Sequence, residues 1–149
     1  MNDDQIKALV EHRLQKSEEA LRAAQFMFDQ GMLIFAMNRT YYSMYYAVQA
    51  LLALQGDSFS KHGQVKGFFN REYVKSGRLP KDMGRLFNKA FEYRQKFDYV
   101  DFVAPEESMV VEYMNKAQGL GTSDSVFHWD QYPIHNFQFP KTEQLCCVS

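Results

Sequence analysis

The chain has 149 residues, 46% of them hydrophobic, and a formal net charge of −1. That length holds one domain with a core adequate for independent folding, and that apolar content excludes wholesale disorder. The near-neutral balance excludes a global field that would draw the chain to nucleic acid or to an anionic membrane.

Glycine and proline punctuate helical segments, and no segment sustains the alternation of a strand. The first helix is predicted from about Asp3 to Gln30. Val10, Leu14, Ser17, Leu21, Ala24 and Phe28 recur at spacings of four and three, which puts them on one stripe, and Gly31 is the stop signal. The second is predicted from about Leu33 to Gln55, ending at Gly56. The third starts near Ser60 as N-cap and ends at Gly77. The fourth follows Pro80 and runs to about Tyr99. The fifth starts around Pro105, with Glu106 and Glu107 in a first turn that favours anions, and ends near Gln118. Short connections between long amphipathic helices predict an all-α, antiparallel up-and-down bundle of four to five helices over residues 1–118. Residues 119–149 have no helical period and are expected to form an irregular tail. Its aromatics, Phe127, Trp129, Tyr132, Phe137 and Phe139, imply that it packs on its own bundle or on a partner.

Charge is unevenly distributed. Lys61–Lys96 carries ten Lys/Arg against three Asp/Glu, a net of +7, between flanks of −2 (Met1–Ser60) and −4 (Phe97–Gln118). Such a middle can form one positive face, or its charges can be balanced by neighbouring helices. Cys146 and Cys147 are adjacent at the C-terminus and cannot staple the fold. A cysteine-free body suits a reducing compartment, so a cytoplasmic location is expected. Met32–Gln55 approaches the length of a membrane span, but it contains Arg39, Asn38, Gln49 and four tyrosines. A helix buried in protein is the better reading, and no membrane association is expected.

The second helix carries the most specific signal. At 100° per residue, Leu33, Met37, Tyr41, Met44, Tyr45, Val48, Leu51 and Leu52 fall on an arc roughly opposite Arg39, which is the core side. Arg39, Tyr42, Ser43 and Tyr46 share the other face with small alanines. A face that is polar yet almost uncharged implies contact with another helix, a twin subunit or a ligand. An arginine in a partly dry site needs an acceptor, either a carboxylate from a neighbouring helix or a phosphate. On the fourth helix, Met83, Phe87, Ala90, Arg94 and Phe97 form a stripe that places Arg94 on an apolar face with Asp98 one turn later. That pair reads as a register-fixing Arg–Asp network, or Arg94 is a second phosphate contact.

The stretch "AMNRTYYSMYYAVQALL" resembles the signature helix of the small prokaryotic branch of HEPN domains (higher eukaryotes and prokaryotes nucleotide-binding). "SKHGQV" and "YRQKFDY" are similar to two further segments of that branch, so the resemblance covers about Asp3–Gln118. It implies an antiparallel bundle that pairs as a homodimer with the signature helices facing each other. It also implies a minimal nucleotidyltransferase as partner in a toxin–antitoxin system. In active relatives an Arg-x4–6-His motif forms a metal-independent ribonuclease site. Here Arg39 matches the motif arginine, but the histidine position falls on Tyr46, and tyrosine exchanges protons poorly near neutral pH. His62, at the start of the third helix, matches the branch's histidine there. It is either the missing acid or base, or a residue that orders its turn.

The leading expectation is a dimeric module associated with RNA or nucleotides, binding through Arg39, Tyr42 and Arg94. The alternatives are a ribonuclease toxin using Arg39 with His62 or Tyr46, and a non-catalytic structural adaptor. No Cys/His spacing suits a metal and no glycine-rich loop suits a phosphate cofactor, so no metal or cofactor is expected. The ending "CCVS" formally fits a prenylation box, which does not belong in a mostly prokaryotic group.

Overall fold

The computed structural model describes residues 1–120. These form helices α1 (Asp3–Asp29), α2 (Leu33–Leu54), α3 (His62–Phe69), α4 (Lys81–Tyr99) and α5 (Glu107–Leu120), with a π-helical turn at Asn70–Val74 continuing α3. No strand occurs among the described residues, so the all-α bundle expected from the sequence is the observed one. α5 continues two residues past the predicted Gln118. The expected irregular tail, with its aromatics, His128, His135 and both cysteines, otherwise lies outside the described residues.

Each helix end has a local cause. Asn2 caps α1 by accepting from the Gln5 backbone N–H, and the Gln5 side chain returns a bond to the Asn2 N–H. α1 and α2 are followed by Gly31 and Gly56 at φ of 74° and 78°, a conformation that β-carbon sterics make costly for other residues. The third helix departs from expectation at both ends. Its N-cap is Lys61, with no side-chain cap bond, so Ser60 does not play the capping role. The stretch up to Gly77 is also not one α-helix, because the register widens at Asn70.

α2 lies at the centre and packs against α1, α3, α4 and α5. The stripe predicted on α1 (Val10, Leu14, Ser17, Leu21, Ala24, Phe28) is buried in full. It covers more of α2 than the sequence indicated. Ser43, Ala47 and Ala50 are buried, and Ser17 Oγ donates to the Ser43 carbonyl at 2.7 Å. Ser43 therefore belongs to the α1 contact and not to an open polar face. The alanines have the same explanation: small side chains let the two helices approach closely.

The π turn is seated against α4 by a side-chain amide pair. Asn70 Nδ2 donates to Asn88 Oδ1 at 2.8 Å, and Asn88 Nδ2 returns to Asn70 Oδ1 at 3.3 Å. The approach is close at Gly84, where an added β-carbon would stand 2.9 Å from both γ-carbons of Val74. A helix-interior glycine normally costs ~0.5–1 kcal/mol relative to alanine, whereas overpacking costs ~1–3 kcal/mol. The clash outweighs propensity here. Gly84→Ala is therefore expected to lower stability in urea denaturation by about 1–2 kcal/mol. Gly67→Ala, which meets open space, is expected to raise it by about 0.5 kcal/mol or more.

Candidate functional site

With α1 covering the Ser43 side, the part of α2 left half-buried is a strip bearing Asn38, Arg39, Tyr42 and Tyr46. The Arg39 guanidinium lies over the Tyr42 ring, 4.5 Å from its centroid. Its Nε and Nη2 donate to Asn38 Oδ1 at 3.3 and 2.9 Å. Among the described residues no carboxylate forms an ion pair with Arg39, so the alternative of a carboxylate from a neighbouring helix does not apply there.

Asn38 turns its other end to α4, where its Nδ2 donates to Asp98 Oδ2 at 2.8 Å. The same carboxylate oxygen sits 3.7 Å from Arg94 Nε, and Arg94 Nη2 donates to Tyr42 Oη at 3.3 Å. Arg94 also lies 5.5 and 5.3 Å from the centroids of Tyr41 and Tyr42. Its Nε is dry and makes no hydrogen bond, so Asp98 compensates its charge as an ion pair. Arg94 thus meets the Asp98 carboxylate expected from the sequence and, through Tyr42, stands beside Arg39.

His62 is enclosed by the tyrosines of α2. Its ring stacks on Tyr45 at 4.1 Å between centroids and 15° between planes, and meets Tyr42 edge-on at 5.5 Å. Tyr41 Oη is 2.8 Å from His62 Nδ1. Burial pushes the Tyr41 hydroxyl's pKa well up, with Arg94 opposing, so this hydroxyl keeps its proton. Whether the hydroxyl donates to Nδ1 or accepts from it is set by the tautomer of the neutral ring. Burial, and secondarily the Arg94 charge, lower the His62 pKa, so the ring is neutral at pH 7. Tyr45 is raised by burial too, with Arg13 opposing.

Arg39, Tyr42, Arg94 and His62 are therefore brought together around one ring, Tyr42. Tyr46 extends the strip by one turn, 6.0 Å from Tyr42 between centroids. Sequence reasoning missed the roles of Asn38 as clamp and of Tyr41 and Tyr45 as the His62 enclosure. The Asn-Arg pair in the signature helix was the available signal for the first. The second depends on where α3 lands. No group of three or more His, Cys, Asp or Glu side chains suited to a metal occurs among the described residues, and none of their helices is long and apolar enough to cross a membrane.

An all-α bundle with an arginine set on an aromatic strip of its central helix defines the class. Residues 10–121 match the HEPN domain family, and the chain belongs to it. It is 40% identical over 112 residues to a UPF0332 protein of Thermotoga maritima, covering 75% of this chain and 85% of that one. Two proteins of Methanocaldococcus jannaschii are also similar. "Putative toxin MJ0142" is 34% identical over 62% of this chain and 63% of its own. "Putative toxin MJ0605" is 31% identical over 70% of this chain and 75% of its own.

The lowered His62 pKa has a consequence for stability. Its ordinary value is 6.5, and in the fold it is lower, so below that value the unfolded chain binds more protons than the native one. The stability due to neutral His62 is present above pH ~6.5 and is lost as pH falls through the folded value. Urea midpoints measured from pH 8 to pH 5 are expected to fall in the wild type. The fall should be smaller in His62→Gln, which keeps a hydrogen-bonding group for Tyr41 but does not titrate.

Proposed function

We propose that this protein is a HEPN module of a toxin–antitoxin pair. In this reading its α2 strip holds RNA or nucleotide phosphate, two copies pair, and a minimal nucleotidyltransferase is the partner. The observation that carries it is Arg39. Its guanidinium is oriented by Asn38 and by the Tyr42 ring and is compensated by no carboxylate among the described residues. A cation held rigid and left without an anion is a site for one, and a planar guanidinium suits phosphate. The relatives named as toxins support the setting, and the partner follows from the family resemblance alone.

Binding is favoured over cleavage. Tyr46 stands at the histidine position, and Nδ1 of His62 is engaged by the Tyr41 hydroxyl. The ribonuclease reading retains one supporting observation: neutral His62 touches the same Tyr42 ring as Arg39. Incubating purified protein with RNA in a chelator separates the two. The binding reading expects complex without cleavage, weakened at least about tenfold by Arg39→Ala and falling steeply with added salt. Metal-free cleavage abolished by Arg39→Ala would establish the ribonuclease instead.

Pairing is assigned to the end of the strip. Phe35, one turn before Arg39, is 56% exposed, and Tyr99, the last residue of α4, and Phe102, just past it, are 75% and fully exposed. The Asn38–Asp98 bond brings these two helix ends together. Large exposed aromatics at one end of a small domain mark a contact surface. Light scattering at tens of micromolar is expected to give a dimer mass for the wild type and a monomer for Phe35→Asp, with helicity unchanged.

A further inference from the structure

The strip does not end at Tyr42. The next half-buried ring along it, Tyr46, has the Lys16 ammonium of α1 over its face, 5.4 Å from the centroid. Lys16 is exposed and, like Arg39, forms no ion pair with a carboxylate among the described residues. The order along the surface is cation, ring, ring, cation: Arg39, Tyr42, Tyr46, Lys16. Residues 39 and 46 are about 10 Å apart along the helix axis at ~1.5 Å per residue. That rise, with one ring at each of Tyr42 and Tyr46, spans more than one nucleotide step.

We propose that Tyr46 and Lys16 form a second subsite beside Arg39 and Tyr42, in which the Tyr46 ring stacks on a base of single-stranded RNA and Lys16 meets the adjoining phosphate. The inference rests on the phosphate-binding reading of Arg39 and specifies the ligand of that same strip. Three features support it. Tyr46 packs against Tyr42 and Tyr45, at 6.0 and 5.9 Å between centroids, so it continues the aromatic surface that begins at Tyr42. Among the described residues Lys16 is engaged by the Tyr46 ring and by no carboxylate, so it can exchange that weak contact for a phosphate without breaking a salt bridge there. Stacking needs an unpaired base, which selects single strands over duplex, and is tolerant of base identity. The substitution of tyrosine at the motif's histidine position then has a positive role: it gives up an acid or base and adds a stacking surface.

The test is fluorescence anisotropy of the full chain with a labelled oligouridylate and with a labelled RNA duplex of equal length at low salt. Tyr46→Ala is expected to weaken single-strand binding about tenfold, Tyr46→Phe to stay within about twofold, and neither to change the salt slope. Lys16→Ala is expected to weaken binding and to reduce that slope by about one. The duplex is expected to bind more weakly than the single strand. Thermal melts of each variant confirm that the fold is retained. Wild-type affinity in Tyr46→Ala, alongside loss of binding in Arg39→Ala, would overturn the subsite while leaving the Arg39 reading intact. Equal loss in Tyr46→Phe and Tyr46→Ala would overturn stacking in favour of a hydroxyl role. Absence of any RNA binding by the wild type would overturn both readings.

Discussion

Helix α2 is enclosed by α1, α3, α4 and α5, and it contains a single charge. That constraint governs the rest. A guanidinium cannot be taken out of water without acceptors, and the other faces of α2 are filled by apolar side chains or sealed by α1. Arg39 therefore emerges on the one strip that remains, where the Tyr42 face and the Asn38 amide hold it. Everything that touches the strip is arranged to keep it in place. Asp98 anchors Asn38, Arg94 anchors the Tyr42 hydroxyl, and Ser17 secures the back of the helix to α1.

Several of these contacts meet at the same atoms. The Asp98 carboxylate serves two clients, the Asn38 amide and the Arg94 guanidinium. Because the amide is neutral, it orients Arg39 without neutralising it. A carboxylate at position 38 would pair with the arginine and cancel its charge. His62 belongs to the same logic from the other side. Its stacking on Tyr45 and its bond with Tyr41 settle the α3 N-terminus against α2, in a place where Arg94 and burial both disfavour a second positive charge.

Much of this was legible in the residues. The apolar stripes of α1 and α4 and the glycine stops located the bundle. The Asn-Arg-x-Tyr-Tyr pattern located the strip. What was not legible followed from the neighbours each side chain meets. Ser43 lies on the Arg39 side by helical angle, yet it is sealed by Ser17, because α1 crosses there. Tyr45 reads as core and is buried, but its stacking on a histidine seventeen residues further along the chain was not legible. Ser60 had the chemistry of an N-cap, yet the helix starts one residue later without a side-chain cap. The widened turn at Asn70 follows from the amide pair with Asn88 and the close seat at Gly84, neither of which leaves a periodic trace.

By itself the sequence determined the helices, their order and the presence of one arginine on the most apolar of them, because those follow from periodicity and punctuation within a few turns. Only the tertiary structure decided what that arginine faces. Whether a half-buried cation is spent on a carboxylate or left for a ligand depends on which side chains arrive from sixty residues away. Here the carboxylate that arrives, Asp98, meets Asn38 and Arg94, and Arg39 keeps its charge.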